Sequence, residues 1–138
     1  NEDFMVTYGD GVCDINIKNL EKFHNAHRKI GTITAIQPGG RFGALEITEN
    51  GKIESFVEKR KEDGGWINGG YMIFKPEIFD YISGDNIVFE KYPLEELSRQ
   101  NELMAYRYDG FWQCMDTLRD KLYLEELLAN KQAPWKVW

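Results

Sequence analysis

The sequence has 138 residues, a formal net charge of -6 and an aromatic share of 14%. The length and the ordinary hydrophobic share of 42% predict one globular domain that buries its own core without a disulfide or a metal. No apolar run approaches the roughly 20 residues of a membrane helix, and the first residues lack the pattern of a signal peptide. Acidic charge spread over both halves argues against a duplex nucleic-acid binder. We therefore expect neither a membrane nor a nucleic acid as partner.

The cysteines and histidines give no sign of a zinc site. Cys13 and Cys114 have no histidine at ligand spacing, and His24 and His27 have no matched cysteine or carboxylate. We interpret the cysteines as two reduced thiols in a cytoplasmic protein and the histidines as part of an ordinary helix face.

The first third of the chain predicts a strand, a helix and a second strand. Residues 4–8 form an apolar run that ends at a Gly-Asp-Gly turn, and residues 32–36 form a β-rich run. Between them, apolar positions from Ile17 to His27 recur at helical spacing, with Gly31 as the expected stop. This order is typical of a βαβ unit with parallel strands in an α/β protein.

The middle of the chain predicts a hairpin followed by a buried strand. Asn50-Gly51 lies between two strand-like runs, 43–48 and 52–58, and this dipeptide is a strong hairpin signal. Residues 71–74 are a buried strand in this interpretation, and Pro76 begins a short helix.

The last third predicts a helix over 89–99, a strand over 103–108, an extended piece over 110–116 and a final helix. Thr117 caps that helix, with Asp120 three residues later as in a capping box. Its apolar stripe comprises Leu118, Tyr123, Leu124, Leu127 and Leu128.

The first group of residues that could carry chemistry is the turn Tyr8-Gly9-Asp10-Gly11-Val12. Asp10 follows a buried strand, and open α/β sheets bind ligands at the carboxyl ends of their strands. Small neighbours would let a ligand or a metal approach the backbone. Gly-Asp-Gly is also ordinary turn chemistry, so a purely structural turn remains an alternative.

The second group is Glu58-Lys59 with Asn68-Gly69-Gly70. A lysine suits a phosphate oxygen, a carboxylate suits a sugar hydroxyl, and the glycine pair would let a bulky ligand lie against the main chain. A surface ion pair is the alternative for the first two residues, and a strand bulge is the alternative for the glycines.

The third group lies within residues 111–117. Asp116 precedes a helix N-cap, where it could interact with the helix dipole alone, and Trp112 could belong to the core. Alternatively, Asp116 meets Asp10 at one site, where the two carboxylates hold a divalent cation such as Mg²⁺ together with substrate phosphates.

These three groups occur together in the sugar nucleotidyltransferases, which the chain resembles along essentially its whole length. The resemblance is closest to the branch that forms CDP-glucose, the glucose-1-phosphate cytidylyltransferases. It is carried by the segments 8–12, 38–45, 58–59, 67–71, 110–121 and 131–138.

The resemblance implies a Rossmann-like nucleotidyltransferase fold with a mixed sheet. It implies CTP and glucose 1-phosphate as substrates, Mg²⁺ as cofactor, and a product that feeds dideoxy-sugar synthesis for bacterial surface lipopolysaccharide. Asp10 and Asp116 match the metal-binding aspartates, and Lys59 matches the lysine on the sugar phosphate; these three form the catalytic group. The matched positions around the glucose are Gly43, Glu58, Lys59, Asn68, Gly69 and, with less support, Trp112.

One family feature has no counterpart in this sequence. The family has an N-terminal Gly-rich loop that wraps the nucleotide phosphates, and no segment here fits it. We therefore expect residues 1–138 to be a single domain, the C-terminal sugar- and metal-binding portion of such an enzyme, inactive alone and part of a homo-oligomer. The alternatives are a non-catalytic sugar-phosphate-binding module, or an oligomerisation domain anchored by Trp135 and Trp138.

Overall fold

The computed structural model describes residues 2–38, 45–56 and 65–137. Within these ranges the chain forms strands and helices in close alternation, joined by short connections. In chain order the elements are β1 (Phe4–Thr7), β2 (Gly11–Cys13), α1 (Ile17–His27), β3 (Gly31–Ile36), β4 (Leu45–Ile47), β5 (Ile53–Phe56), β6 (Ile67–Phe74), a 3₁₀ helix (Pro76–Tyr81), α2 (Tyr92–Arg99), β7 (Leu103–Arg107), β8 (Trp112–Cys114) and α3 (Leu118–Ala129).

The central sheet is mixed and has four strands in the order β1-β6-β3-β7. Strand β6 is antiparallel to both β1 and β3, whereas β3 and β7 are parallel. Strands β1 and β3 therefore run in the same direction, as a βαβ unit requires, but β6 lies between them. The predicted parallel direction of these two strands is confirmed, and a strand from later in the chain is inserted between them.

Helices cover both faces of this sheet because side chains alternate along β6. Met72 and Phe74 point to the larger apolar cluster, which also contains Leu94 and Leu97 of α2. Ile73 points to the opposite face and packs with Leu20 of α1. The result is a three-layer α/β arrangement with the main core between the sheet and α2.

The predicted hairpin is confirmed in the described part of the chain. Strands β4 and β5 pair antiparallel around Asn50-Gly51, and Gly51 has the positive φ of 83° that such a turn requires. The Ala105 amide donates to the Gly51 carbonyl over 2.9 Å, which fastens the turn to β7. Residues 43, 44, 57 and 58 of the predicted strands lie outside the described residues.

The helix ends follow local capping chemistry. Asn16 caps α1 by accepting from the Asn19 amide, and the helix ends at Arg28 in a left-handed conformation rather than at Gly31, which begins β3. The predicted capping box of α3 is confirmed, since Thr117 and Asp120 each bind the other's backbone amide.

The apolar stripe of α3 is not buried as its pattern suggested. Leu124 is 8% exposed, but Leu118 is 69% exposed and Leu128 is 48% exposed. The pattern correctly gave the helix but could not give a partner for its face. The longest described helix is α3, with 12 residues, and no helix in the described ranges has the length and apolar character of a membrane span.

The histidines lie on a face of α1, as predicted, and this face packs against β3. His24 is 1% exposed and lies beneath α1 with His27 and Thr32 of β3. The Lys29 amide donates to His27 Nδ1 over 2.9 Å, so the neutral ring carries its proton on Nε2 and donates to Thr32 Oγ1 at 2.7 Å. The Thr32 hydroxyl is then left to donate to His24 Nδ1, also at 2.7 Å. His24 Nε2 faces the Asp3 carboxylate at 3.4 Å.

Both rings are held neutral by their surroundings. Burial lowers the pKa of His27 to about 4, with His24 and Lys75 adding to the effect. Burial also lowers the pKa of His24, against an opposing contribution from Asp3. The charged groups that face the pair are Asp3, Lys29, Lys75 and Glu102.

We expect the complete protein that contains this chain to lose stability on mild acidification. Because the folded-state pKa values lie below the unfolded value of about 6.5, the neutral pair stabilises the fold above that pH, and the contribution is lost as the pH falls towards 4. The free energy of unfolding from urea titrations should fall by about 1–2 kcal/mol between pH 7 and pH 5, less than the full shift because His27 is only half-buried. The double variant H24Q/H27Q should have a flatter profile; an unchanged slope would contradict this account.

Candidate functional site

The candidate residues meet at one edge of the central sheet. Strands β1, β3 and β7 end at this edge, and β6 begins there, because β6 alone runs in the opposite direction. The turn after β1 carries Asp10, the start of β6 carries Asn68-Gly69-Gly70, and the chain after β7 leads to β8. Carboxyl ends of parallel strands are where open α/β sheets bind ligands.

Hydrogen bonds to the glycine pair of β6 join these segments. The Tyr8 amide donates to the Gly70 carbonyl over 2.9 Å, and the Trp112 indole N–H donates to the Gly69 carbonyl over 2.7 Å. The Tyr71 hydroxyl donates to the Gly11 carbonyl over 2.9 Å. The structure therefore brings the turn around Asp10 and the segment around Trp112 together at Gly69-Gly70.

Asp10 and Asp116 lie on a short ribbon formed by β2 and β8. Gly11 pairs with Cys114, and the Met115 amide donates to the Asp10 carbonyl over 2.7 Å. The hydrogen-bond ladder therefore extends to Asp10 and to Met115, the residue before Asp116. Both aspartates are exposed. The two aspartates are predicted to meet at one site, and the ribbon places their backbones at the ends of two paired strands.

The two cysteines are free thiols within this ribbon, Cys13 in β2 and Cys114 in β8. Burial and the adjacent Asp116 carboxylate raise the pKa of the Cys114 thiol to about 11, and burial raises that of Cys13 to about 11. Both side chains are therefore neutral thiols near pH 7 and weak metal ligands. The expectation of reduced cysteines agrees with the structure.

Asn68 is half-buried and uses its side chain within the protein. Its Oδ1 accepts from the Gly70 amide at 2.9 Å, and its Nδ2 donates to the Tyr8 hydroxyl at 3.1 Å. Gly70 has a positive φ of 77°, and a Cβ there would lie 2.8 Å from the Tyr8 ring. The glycine pair lies in β6 where its register with β3 shifts, as in the strand bulge given as the alternative, and Gly70 packs against Tyr8.

Trp112 is half-buried and ties β8 to β6 through its indole N–H. The other predicted sugar-site residues, Gly43, Glu58 and Lys59, lie outside the described residues, and their roles stay predictions. Within 2–38, 45–56 and 65–137, no three His, Cys, Asp or Glu side chains cluster as a metal cage. A cation held by two aspartates would need further oxygen ligands from a substrate.

Glu90 is a site residue that the sequence analysis missed. Burial and the nearby Glu90 carboxylate raise the pKa of Tyr8. Glu90 lies in the connection before α2, where no motif or periodicity marks it. Only the fold brings it to the edge of the sheet.

Comparison with known proteins gives a family. The family model described as "Nucleotidyl transferase" matches residues 1–116, which include every candidate residue named above. Among solved structures, HddC from Yersinia pseudotuberculosis superimposes with a TM-score of 0.74 over 91% of this chain and 55% of that one, at 22% identity. This similarity confirms the predicted Rossmann-like fold with a mixed sheet.

Two curated relatives align along the whole chain. The glucose-1-phosphate cytidylyltransferase of Salmonella typhi is 52% identical over 138 residues, and the probable glucose-1-phosphate cytidylyltransferase of Bacillus subtilis is 39% identical over 139. The chain spans about half the length of each, 53% and 54%. The family match covers most of the chain, and the expected C-terminal position in such an enzyme stays a prediction.

We expect Gly70→Ala to destabilise the complete protein by about 2–4 kcal/mol, because an alanine is strained at this φ and its Cβ would displace the Tyr8 ring. Gly84→Ala is the matched control, since a Cβ at Gly84 meets nothing within 4 Å. Urea unfolding of both variants checks the expectation. Equal unfolding midpoints would show that the contact between Gly70 and Tyr8 does not contribute to the fold.

Proposed function

This chain belongs to the nucleotidyl transferase family, and we propose that the protein containing it joins CTP and glucose 1-phosphate to give CDP-glucose and pyrophosphate. The observation that carries the proposal is the 52% identity over all 138 residues with the glucose-1-phosphate cytidylyltransferase of Salmonella typhi. The geometry supports it, because the turn after β1, the start of β6 and the β2–β8 ribbon converge at the edge of the sheet where α/β proteins bind ligands.

The donor set at the ribbon fits a hard divalent cation. Asp10 and Asp116 are exposed carboxylates at the ends of two paired strands. In proteins, Mg²⁺ is typically held by one or two carboxylates, and substrate phosphates supply its other ligands. We infer that Asp10 and Asp116 hold Mg²⁺, which when bound neutralises charge on phosphate oxygens.

The reaction needs no protein nucleophile in this proposal. A phosphate oxygen of glucose 1-phosphate attacks the α-phosphorus of CTP and forms a new P–O bond. The bond between the α-phosphorus and the pyrophosphate oxygen breaks, and pyrophosphate leaves. That oxygen is already ionised near neutral pH, so no general base is required. What remains for the protein is in-line positioning and charge neutralisation. We assign Lys59 to the attacking phosphate, and Glu58, Asn68, Gly69 and Gly43 to the sugar.

The biological setting follows from the proposed product. CDP-glucose made by such an enzyme would serve dideoxy-sugar synthesis for surface polysaccharide, in the cytoplasm where CTP is available. A homo-oligomer is also part of the proposal. The free thiols of Cys13 and Cys114 are compatible with a reducing compartment.

We expect Asp10→Asn or Asp116→Asn in the complete protein to reduce kcat about 100-fold or more, because each removes a charge from the centre that neutralises the phosphates. Both side chains are exposed, so the free energy of unfolding should change by about 0.5 kcal/mol or less. Asp85→Asn, at an exposed turn between the 3₁₀ helix and α2, is the control and should retain activity. Normal turnover by Asp116→Asn would refute the metal assignment.

The proposed activity is tested with the purified complete protein, glucose 1-phosphate and Mg²⁺, with product measured by chromatography. CTP should give CDP-glucose at a much higher kcat/KM than UTP or dTTP. A protein that binds glucose 1-phosphate in calorimetry but forms no nucleotide sugar from any of the three would instead be a sugar-phosphate-binding module.

A further inference from the structure

The chain from β8 to the C-terminal tail forms a closed loop that contains α3. Strand β8 leads to Asp116, α3 begins at Leu118, and the tail after α3 returns to the start of β8. There the Trp135 ring stacks on the Phe111 ring, with ring centroids 5.3 Å apart and an interplanar angle of 29°. Both rings are half-buried. Asp116 and this stack therefore lie at opposite ends of α3.

The return of the tail depends on an ordered turn at the end of α3. The Gln132 amide donates to the Leu127 carbonyl over 2.8 Å, and the Lys131 amide donates to the Leu128 carbonyl over 3.2 Å. These two hydrogen bonds are the pair that defines a Schellman motif. Lys131 has a φ of 57°, a left-handed conformation that favours glycine. A lysine in this conformation indicates that contacts beyond the turn, such as the Trp135 stack, help to hold it.

Within the described residues, much of α3 is exposed. Leu124 is the one buried side chain of this helix, whereas Leu118 is exposed. At the N-terminal end of α3, the Gln113 side chain of β8 donates to the Asp120 carboxylate over 3.2 Å. At the C-terminal end, the Trp135 ring connects the helix to the residue that precedes β8. The helix is therefore tied to the two ends of β8.

A helix that is tied at one end only can tilt about that end. With 12 residues, α3 is about 18 Å long, so loss of the stack would let it tilt about its N-terminal end. Asp116 and Thr117 form the joint at that end, because they connect β8 to α3. A tilt of the helix would change the backbone direction at Asp116 and with it the position of the carboxylate relative to Asp10.

We propose that Trp135 is a positioning residue for the divalent cation: by stacking on Phe111 it holds α3 against β8 and thereby fixes the position of the Asp116 carboxylate. The inference rests on the proposed function, which assigns Asp10 and Asp116 to Mg²⁺. This ion requires oxygen ligands in near-octahedral geometry, so a misplaced carboxylate lowers its affinity. Trp135 acts through Phe111 and α3 rather than through contact with the cation.

Mn²⁺ binding to the complete protein tests this role without catalysis. Mn²⁺ suits the same oxygen ligands as Mg²⁺, and the free ion is measured by electron paramagnetic resonance. We expect W135L to raise the Kd for Mn²⁺ about 5–10-fold with the number of sites unchanged, because the carboxylates remain but are misplaced. W135F keeps a ring on Phe111 and should stay within about twofold of wild type. A role in folding alone would lower the number of sites instead of raising the Kd.

Steady-state kinetics with a Mg²⁺ titration give a second measurement. W135L should raise the Mg²⁺ concentration for half-maximal rate to a similar extent, with kcat at saturating Mg²⁺ within about threefold of wild type. F111L removes the other ring of the stack and should have the same effect, and F111L/W135L should be no worse than W135L. V137A, at an exposed position of the same tail, is the control and should match wild type.

The outcomes separate this inference from the proposed function. A wild-type protein that forms no CDP-glucose would overturn the proposed reaction, and the Mn²⁺ titration would still decide the role of Trp135. A D116N variant that binds Mn²⁺ as tightly as wild type would overturn the metal assignment and the inference with it. Weak binding by D116N together with an unchanged Kd for W135L would overturn the role of Trp135 alone. Additive effects of F111L and W135L would also overturn it, since the two rings would then not act as a pair.

Discussion

The site depends on the carbonyl groups of Gly69 and Gly70 in β6. Both residues are buried, and a buried carbonyl without a donor costs about 1–3 kcal/mol. The donors come from elsewhere in the chain, the Trp112 indole for Gly69 and the Tyr8 amide for Gly70. The hydrogen bonds of these two carbonyls therefore require that two distant segments pack against β6. The contact of these segments with β6 forms the candidate site.

The same arrangement separates the residues that hold the site from those that face solvent. Trp112 of β8 donates to the Gly69 carbonyl of β6, and Tyr71 of β6 donates to the Gly11 carbonyl of β2. Asp10 and Asp116 stand on the ribbon with exposed carboxylates. Because these hydrogen bonds fasten the ribbon to β6, the exposed carboxylates are available for the proposed cation. Chemistry on exposed groups over a buried scaffold is common where a rigid sheet presents functional loops.

Local sequence signals predicted most of the elements and failed where the partner was distant. Asn50-Gly51 and the capping box of Thr117 are local, and both are confirmed. The insertion of β6 between β1 and β3 is a pairing of distant residues that no local pattern encodes. Distance along the chain also hid Glu90, whose neighbourhood carries no motif. The role of Gly43 came from family resemblance alone, those of Glu58 and Lys59 also from their side-chain chemistry, and all three stay predictions.

The two polar systems in this chain share one physical device. Beneath α1, the Lys29 amide fixes the tautomer of His27, and the Thr32 hydroxyl passes that direction on to His24. At the sheet edge, the Gly70 amide fixes the Asn68 side chain, whose Nδ2 then donates to the Tyr8 hydroxyl. A hydroxyl both donates and accepts, so it joins two groups without choosing between them. The direction of each series of hydrogen bonds is set by a backbone N–H at one end, which can only donate. The fold sets the direction because it positions that N–H.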